Sequence, residues 1–351
     1  MPIPLIVGAV IAGAAAVAGK KAYDGYQDNS LADDISARAK RDYNNATEEV
    51  ENKQKSLNKT TEKLGDFQLS IGERFSTFEK MATKLLEKLE DFEPNHRKIN
   101  IDVPPRKLKQ IGAFSMSASE FATGLASGAI AGGATAFAIY GGVMTFATAS
   151  TGTAIATLSG AAATNAALAA IGGGSLAAGG LGIAGGTALL GGVVAAPLAA
   201  VVAWSYASSA EKNLEKARDM RDEVEEIVKK CNKITSKLVD VNAYVMNVYD
   251  SVKSINEHFN SYYDYIKNVY DLVFVVKISE QEIRNMSSEI KLKVNNGLGI
   301  AACMTDIIVT PLFKLNKDNE VITDSDNVPT TNKDEMDSVI SEQKHLITKF
   351  I

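Results

Sequence analysis

Residues 217–276 read ARDMRDEVEEIVKKCNKITSKLVDVNAYVMNVYDSVKSINEHFNSYYDYIKNVYDLVFVV. Ala217, Met220, Val224, Ile227, Cys231, Ile234, Leu238, Val241, Val245, Val248, Val252, Ile255, Phe259, Tyr262, Ile266, Val269, Val273 and Val276 follow one another at steps of three and four. On a backbone with 3.6 residues per turn such positions form one stripe, whereas a strand would alternate with period two. No proline or glycine interrupts them. The pattern predicts a coiled-coil helix from about Ser208 to Asn296, on the order of 130 Å at 1.5 Å per residue. Its seam is carried by Val224, Ile234, Leu238, Val245, Val252, Phe259, Ile266 and Val273, and Asn296-Gly297 reads as its stop.

A second arm precedes it. Leu64, Phe67, Ile71, Phe75, Phe78, Ala82, Leu85, Leu89 and Phe92 keep the same steps apart from a 4–4 step around Ile71, which changes the supercoil locally without ending a helix. Between about Asn44 and Lys63 the core positions become Lys, Thr and Ala, so a looser seam is expected there. Pro94 and Pro104-Pro105 stop the arm, because proline lacks the donor and clashes with the preceding turn. Two such arms around one apolar block most simply pair antiparallel, with the block as the hairpin's tip.

Overall composition is ordinary, at 46% hydrophobic and 23% charged with a formal net charge of −5, but it hides extreme segregation. Between Glu120 and Glu211 run 90 consecutive residues without Asp, Glu, Lys or Arg. Soluble surface helices need a polar face, and this block offers only Ser, Thr and Asn165. Glycine-rich breaks divide it into pieces at about 113–139, 143–171 and 174–206, each long enough for a hydrocarbon layer of about 30 Å. Gly128 and Gly132, and the ridge Gly174/Ala178/Gly182/Gly186, place small residues one turn apart, as closely packed membrane helices do. Tyr140, Trp204 and Tyr206 suit a water–lipid boundary. Basic residues on both flanks (Arg97, Lys98, Arg106, Lys107 and Lys109; Lys212, Lys216 and Arg218) let both arms lie on one side, expected to be cytoplasmic, if the number of spans is even. Yet Ala and Gly bury little apolar area, and the gain runs at about 25 cal/mol per Å². The block is therefore expected either in a membrane or folded against the arms in water until triggered. The opening PIPLIVGAVIAGAAAVAG is apolar for 18 residues with Lys20-Lys21 after it. That order suits a short membrane segment or anchor, or next a buried structural helix, better than a secretory signal, whose charge precedes its apolar core.

Catalytic chemistry is missing from the pattern. Gly180-Leu181-Gly182-Ile183-Ala184-Gly185 is a literal G-x-G-x-x-G, but no strand precedes it and the first acid afterwards is Glu211. Lys20 follows a P-loop-like run with the wrong spacing and no Ser or Thr behind it. His96, His258 and His345 lie in separate segments without ligand spacing. Cys231 and Cys303 sit among apolar neighbours, as buried free thiols do. Asp33-Asp34 and Glu225-Glu226 belong to solvated helix faces. No enzyme, cofactor, metal or small-molecule substrate is expected, and mixed charges without a basic stripe exclude nucleic acid.

The opening PIPLIVGAVIAG…KKAYDGYQDN and the block STGTAIATLSGAAATNAALAAIGGGSLAAGG are similar to those of uncharacterised bacterial proteins with a Gly/Ala-rich hydrophobic hairpin. In architecture alone the chain resembles the α-helical pore-forming toxins and the apolipoprotein-L-like proteins. The sequence likeness covers residues 1–30 and 110–210, and no functional residue carries over. The expectation is an all-α, elongated antiparallel coiled-coil bundle with a hydrophobic helical head. It comprises an apolar N-terminus (1–22), a first arm and linker (23–110), a membrane-active block (111–206), a second arm (207–296), and a C-terminal docking helix, turn and tail (297–351). Its expected activity is permeabilising or remodelling a bilayer, with self-association or a protein partner through the arms. The rival expectation is a permanently anchored coiled-coil scaffold that recruits a partner.

Overall fold

The computed structural model describes residues 25–92, 102–126, 134, 137–139, 214–316, 321–326 and 328–351. Over these the protein is all-α. The helices are α1 (Gly25–Glu90), α2 (Pro105–Ala126), α3 (Leu214–Asp271), α4 (Glu280–Val309) and α5 (Lys333–Ile347), and a π turn, Leu272–Val276, ends α3. Between α4 and α5 the described residues include isolated antiparallel bridges, among them Phe313 with Thr331 and Leu315 with Val321.

The chain divides into two compact units. The first takes the described residues within 1–57, 192–241 and 323–328. Here α1 buries Ala32, Ala39, Ala46, Val50 and Leu57, and α3 buries Ala217, Val224, Cys231, Ile234, Leu238 and Val241. Ala32, Ala39 and Ala46 lie at heptad spacing, and the stretch of α1 expected to be loose begins with Ala46, Val50 and Leu57 buried.

The second unit takes the described residues within 58–191, 242–322 and 329–351 and is a helical bundle. Within it α1 and α3 run parallel. Lys63 and Phe67 of α1 meet the Tyr249 ring, Arg74 donates to Asn260 at 2.5 Å, and Lys84 donates to Tyr270 at 3.3 Å. The last two pairs share an offset of 186 residues. The antiparallel pairing expected of the two arms is therefore corrected. A heptad stripe carries no direction. The antiparallel neighbours are supplied by other helices. α2 runs back along α1, with Phe114 opposite Phe75 and Ala118 opposite Gly72, and α4 runs back along α3, with Lys293 over the rings of Tyr262 and Tyr265. Pro104-Pro105, read as a stop, also begins α2. Proline is at home in a first turn, where its missing N–H is not needed.

The single helix expected to Asn296 is two helices. Lys277 takes φ 61°, the only positive φ outside glycine among the described residues, and Ile278 N–H closes on Leu272 O at 3.2 Å. Ser279 then caps α4 in a reciprocal capping box with Glu282. Val276, the last expected seam residue, is consequently 65% exposed. Asn296-Gly297 does not stop the helix either, because α4 runs through it. A Cβ at Gly297 would lie 2.5 Å from Phe78 Cζ, so this glycine makes room for a ring and is not a cap.

The apolar segment after Gly297 continues α4 and is buried in the bundle. Leu298 to Met304, Ile307 and Ile308 are buried, and Asp306 in their midst is paired with Lys107 of α2 at 2.5 Å. Among the described residues α4 is the one helix long and apolar enough to cross a membrane, and 67% of its apolar window is buried inside the protein. α5 and the tail cover it. Phe350 presses its ring on Gly299 while its carbonyl accepts from Tyr262 Oη at 2.5 Å and Asn296 Nδ2 at 3.0 Å.

A side chain in the left-handed region costs roughly 1 kcal/mol that glycine escapes. Lys277→Gly is expected to stabilise the protein by up to about that amount, and Lys277→Val to destabilise it. Chemical denaturation of the three chains checks both directions.

Candidate functional site: where the apolar block meets the bundle

The eight seam residues named from the sequence, Val224, Ile234, Leu238, Val245, Val252, Phe259, Ile266 and Val273, are all buried, at 7% exposure or less. The expected membrane-contact and packing residues Gly128, Gly132, Tyr140, Gly174, Gly182, Gly186, Trp204 and Tyr206 lie outside the described residues. So do His96, the N-terminal segment and most of the block. His258 and His345 are exposed, as are Asp33, Asp34, Glu225 and Glu226. Both cysteines are buried and unpaired, and burial pushes the Cys231 thiol up. Among the described residues no three His, Cys, Asp or Glu side chains come together to hold a metal.

The described part of the block is its beginning, in α2 and at Ala134, Phe137, Ala138 and Ile139, which are all buried. It is received by two glycines of α1 that sequence reading passed over, seven residues apart and hence on one face. A Cβ at Gly65 would fall 1.7 Å from the backbone oxygen of Ala134, and one at Gly72 would fall 2.2 Å from Ala118 Cβ. Backbones meet here at a distance that no larger residue allows.

Around these glycines runs a ladder of rings. Phe137 meets Phe114 of α2 at 5.9 Å, Phe114 meets Phe75 of α1 at 5.9 Å, and Phe75 meets Phe259 of α3 at 4.9 Å. Phe259 meets Phe78 at 5.3 Å, and Phe78 fills the hollow at Gly297 of α4. Tilted and edge-on pairs at such separations are each favourable by about 0.5–1.5 kcal/mol beyond their buried area. One row of rings therefore ties the start of the apolar block to three further helices.

The same region carries buried polar atoms without partners. Gln68, between Gly65 and Gly72 on α1, is 2% exposed, and Ser115, beside Phe114 on α2, is 3% exposed. Gln68 Oε1, Ser115 Oγ and Asn256 Oδ1 of α3 accept or donate no hydrogen bond. Each such group costs roughly 1–3 kcal/mol against a satisfied one. Residue order carries no signal for any of them: Gln68 stands beside the seam residue Phe67, where a polar side chain is ordinary.

The densest charged cluster lies in the first unit and is a fastening. Lys237 pairs with Asp324 and, at 2.6 Å, with Asp326, which also takes Lys233 at 3.0 Å. Asp324 Oδ1 in turn accepts from the N–H groups of Asp326 and Val328, so the segment is clipped onto α3.

No family model matches the chain, and no curated protein or solved structure matches it.

The Lys237 and Lys233 ammonium groups hold the Asp326 carboxyl down at about 2. For Asp324, burial acts upward, but Lys237 and the two backbone donors outweigh it and its carboxyl also stays low. A carboxyl lowered on folding contributes stability above its unfolded pKa and loses it as pH falls through the folded one. Asp326→Asn is expected to lower Tm at neutral pH, with the deficit closing between about pH 4 and pH 2. Thermal denaturation followed by circular dichroism across that range checks it.

Proposed function

We propose that this protein is a membrane-associating helical protein that permeabilises or remodels a bilayer through residues 111–206, after passing from a bundle-docked to a lipid-inserted arrangement. The carrying observation is the run of 90 residues without a charge between Glu120 and Glu211. In water such a run needs an apolar cover, and its described beginning has one, on α1 and the ring ladder. In a bilayer the same residues need none.

The anchored-scaffold alternative would recruit a partner through the seam of α3. That seam is buried against the chain's own helices, which favours the first function over the second.

Purified protein added to vesicles loaded with a quenched dye is expected to release the dye. Binding without release would support the scaffold, and absence of binding would exclude both. Ile183→Lys is the control within the block. A lysine at the centre of an inserted helix costs about 2.5–3.5 kcal/mol, so the release is expected to fall on the order of a hundredfold.

A further inference from the structure

We propose that the α1 face formed by Gly65, Gln68 and Gly72 is a release seat, which holds the start of the apolar block against the bundle and lets it go to a lipid bilayer. This rests on the membrane function proposed above and adds where and how the block is retained.

Three observations meet at this face. First, its occupant is present. The backbone of Ala134 sits over Gly65 and the methyl of Ala118 over Gly72, each closer than any side chain would permit. Shape holds the block here, since contact between glycine and alanine removes little apolar area. Second, both sides of the contact contain a buried polar group with no partner, the Gln68 amide oxygen on α1 and the Ser115 hydroxyl on α2. Groups of this kind regain hydrogen bonds with water when the two sides part, so the contact opposes itself. Third, an apolar contact does run through the seat, the row from Phe137 through Phe114 to Phe75, and its Phe137 end belongs to the block. Parting the block from α1 breaks the row between Phe114 and Phe75. It leaves Phe75 on Phe259 and Phe78 on Phe259, so the α1–α3 core stays closed. The seat is thus the junction at which the bundle separates without coming apart.

Two substitutions in the full-length chain shift it in opposite directions. Gln68→Leu keeps the volume and removes the unpartnered amide, so it tightens the seat. Gly72→Leu places a side chain where Ala118 lies, so it empties the seat. The reporter is Ser115→Cys, carried by every chain compared and read by maleimide labelling of the peptide that contains it, separate from Cys231 and Cys303. In solution, labelling of the introduced thiol is expected to slow at least about fivefold with Gln68→Leu, the scale set by relieving one such group. It is expected to quicken with Gly72→Leu. Vesicles of equal parts phosphatidylcholine and phosphatidylglycerol are expected to speed labelling of the otherwise unchanged chain and to bind the three chains in the order Gly72→Leu, unchanged, Gln68→Leu. Loss of the helical circular dichroism signal with Gly72→Leu would mean unfolding of that chain; Gln68→Leu, which preserves the packing, then decides. Equal labelling with and without Gln68→Leu overturns the seat. Vesicle binding that leaves the introduced thiol protected overturns it too, while sparing the membrane function. No vesicle binding by any of the chains overturns the membrane function and the seat's role in it together.

Discussion

The bundle of the second unit is organised by the ring of Phe259, which is fully buried and touches Phe75 and Phe78 on one neighbouring helix and Tyr263 on its own. A ring in that position needs partners of matching size on α1, and Phe75 and Phe78 supply them at a spacing of three. Their other edges must then be met. Phe75 passes its edge to Phe114 of α2, and Phe78 passes its edge to the bare backbone of Gly297 on α4. This one row thus joins α1, α2, α3 and α4. Dense interiors do not tolerate a missing or additional ring without rearrangement, so the row acts as a unit.

Glycine plays the complementary part. At Gly65, Gly72 and Gly297 the absent side chain is the contact: each lets a backbone, a methyl or a ring occupy the space a Cβ would fill. A glycine inside a helix costs about 0.5–1 kcal/mol in lost chain entropy, and here close packing offsets it. These helices are thereby fitted to particular neighbours at particular heights, which a seam of valines and leucines alone does not achieve. Between Gly65 and Gly72 the fit holds a segment whose own composition gives it little adhesion.

Much of this was legible in residue order, and the parts that were not have physical reasons. The side-chain period of α3 follows from the 3,4 spacing because burial of one stripe is a local demand, and every seam residue from Ala217 to Val273 is buried or half-buried. The end of that helix escaped notice because its left-handed capping position holds Lys277, where glycine ordinarily gives the signal. A second signal was present, since Ser279 and Glu282 have the spacing of a capping box. Asn296-Gly297 misled for the opposite reason, having the residues of a stop while serving as a hollow for Phe78. The direction of α1 against α3 was not readable, because a stripe of apolar residues is the same from either end. The Gly65–Gly72 face was hidden because its partners, Ala118 and Ala134, are remote in the chain and only folding brings them there.

An apolar segment that changes surroundings gains little from the change itself, since both a bundle interior and a lipid interior remove it from water. What decides between them is then the remainder: backbone fit and ring contacts on the bundle side, unpartnered polar groups against it, and small-residue packing within lipid. For a block of large aliphatic residues, burial would dominate and the segment would commit to whichever environment it met first. For one built from alanine and glycine the large term is small in both places, and a single amide such as that of Gln68 becomes comparable with the difference. Composition that looks weakly hydrophobic for a permanent span is therefore the composition that makes two arrangements close in free energy.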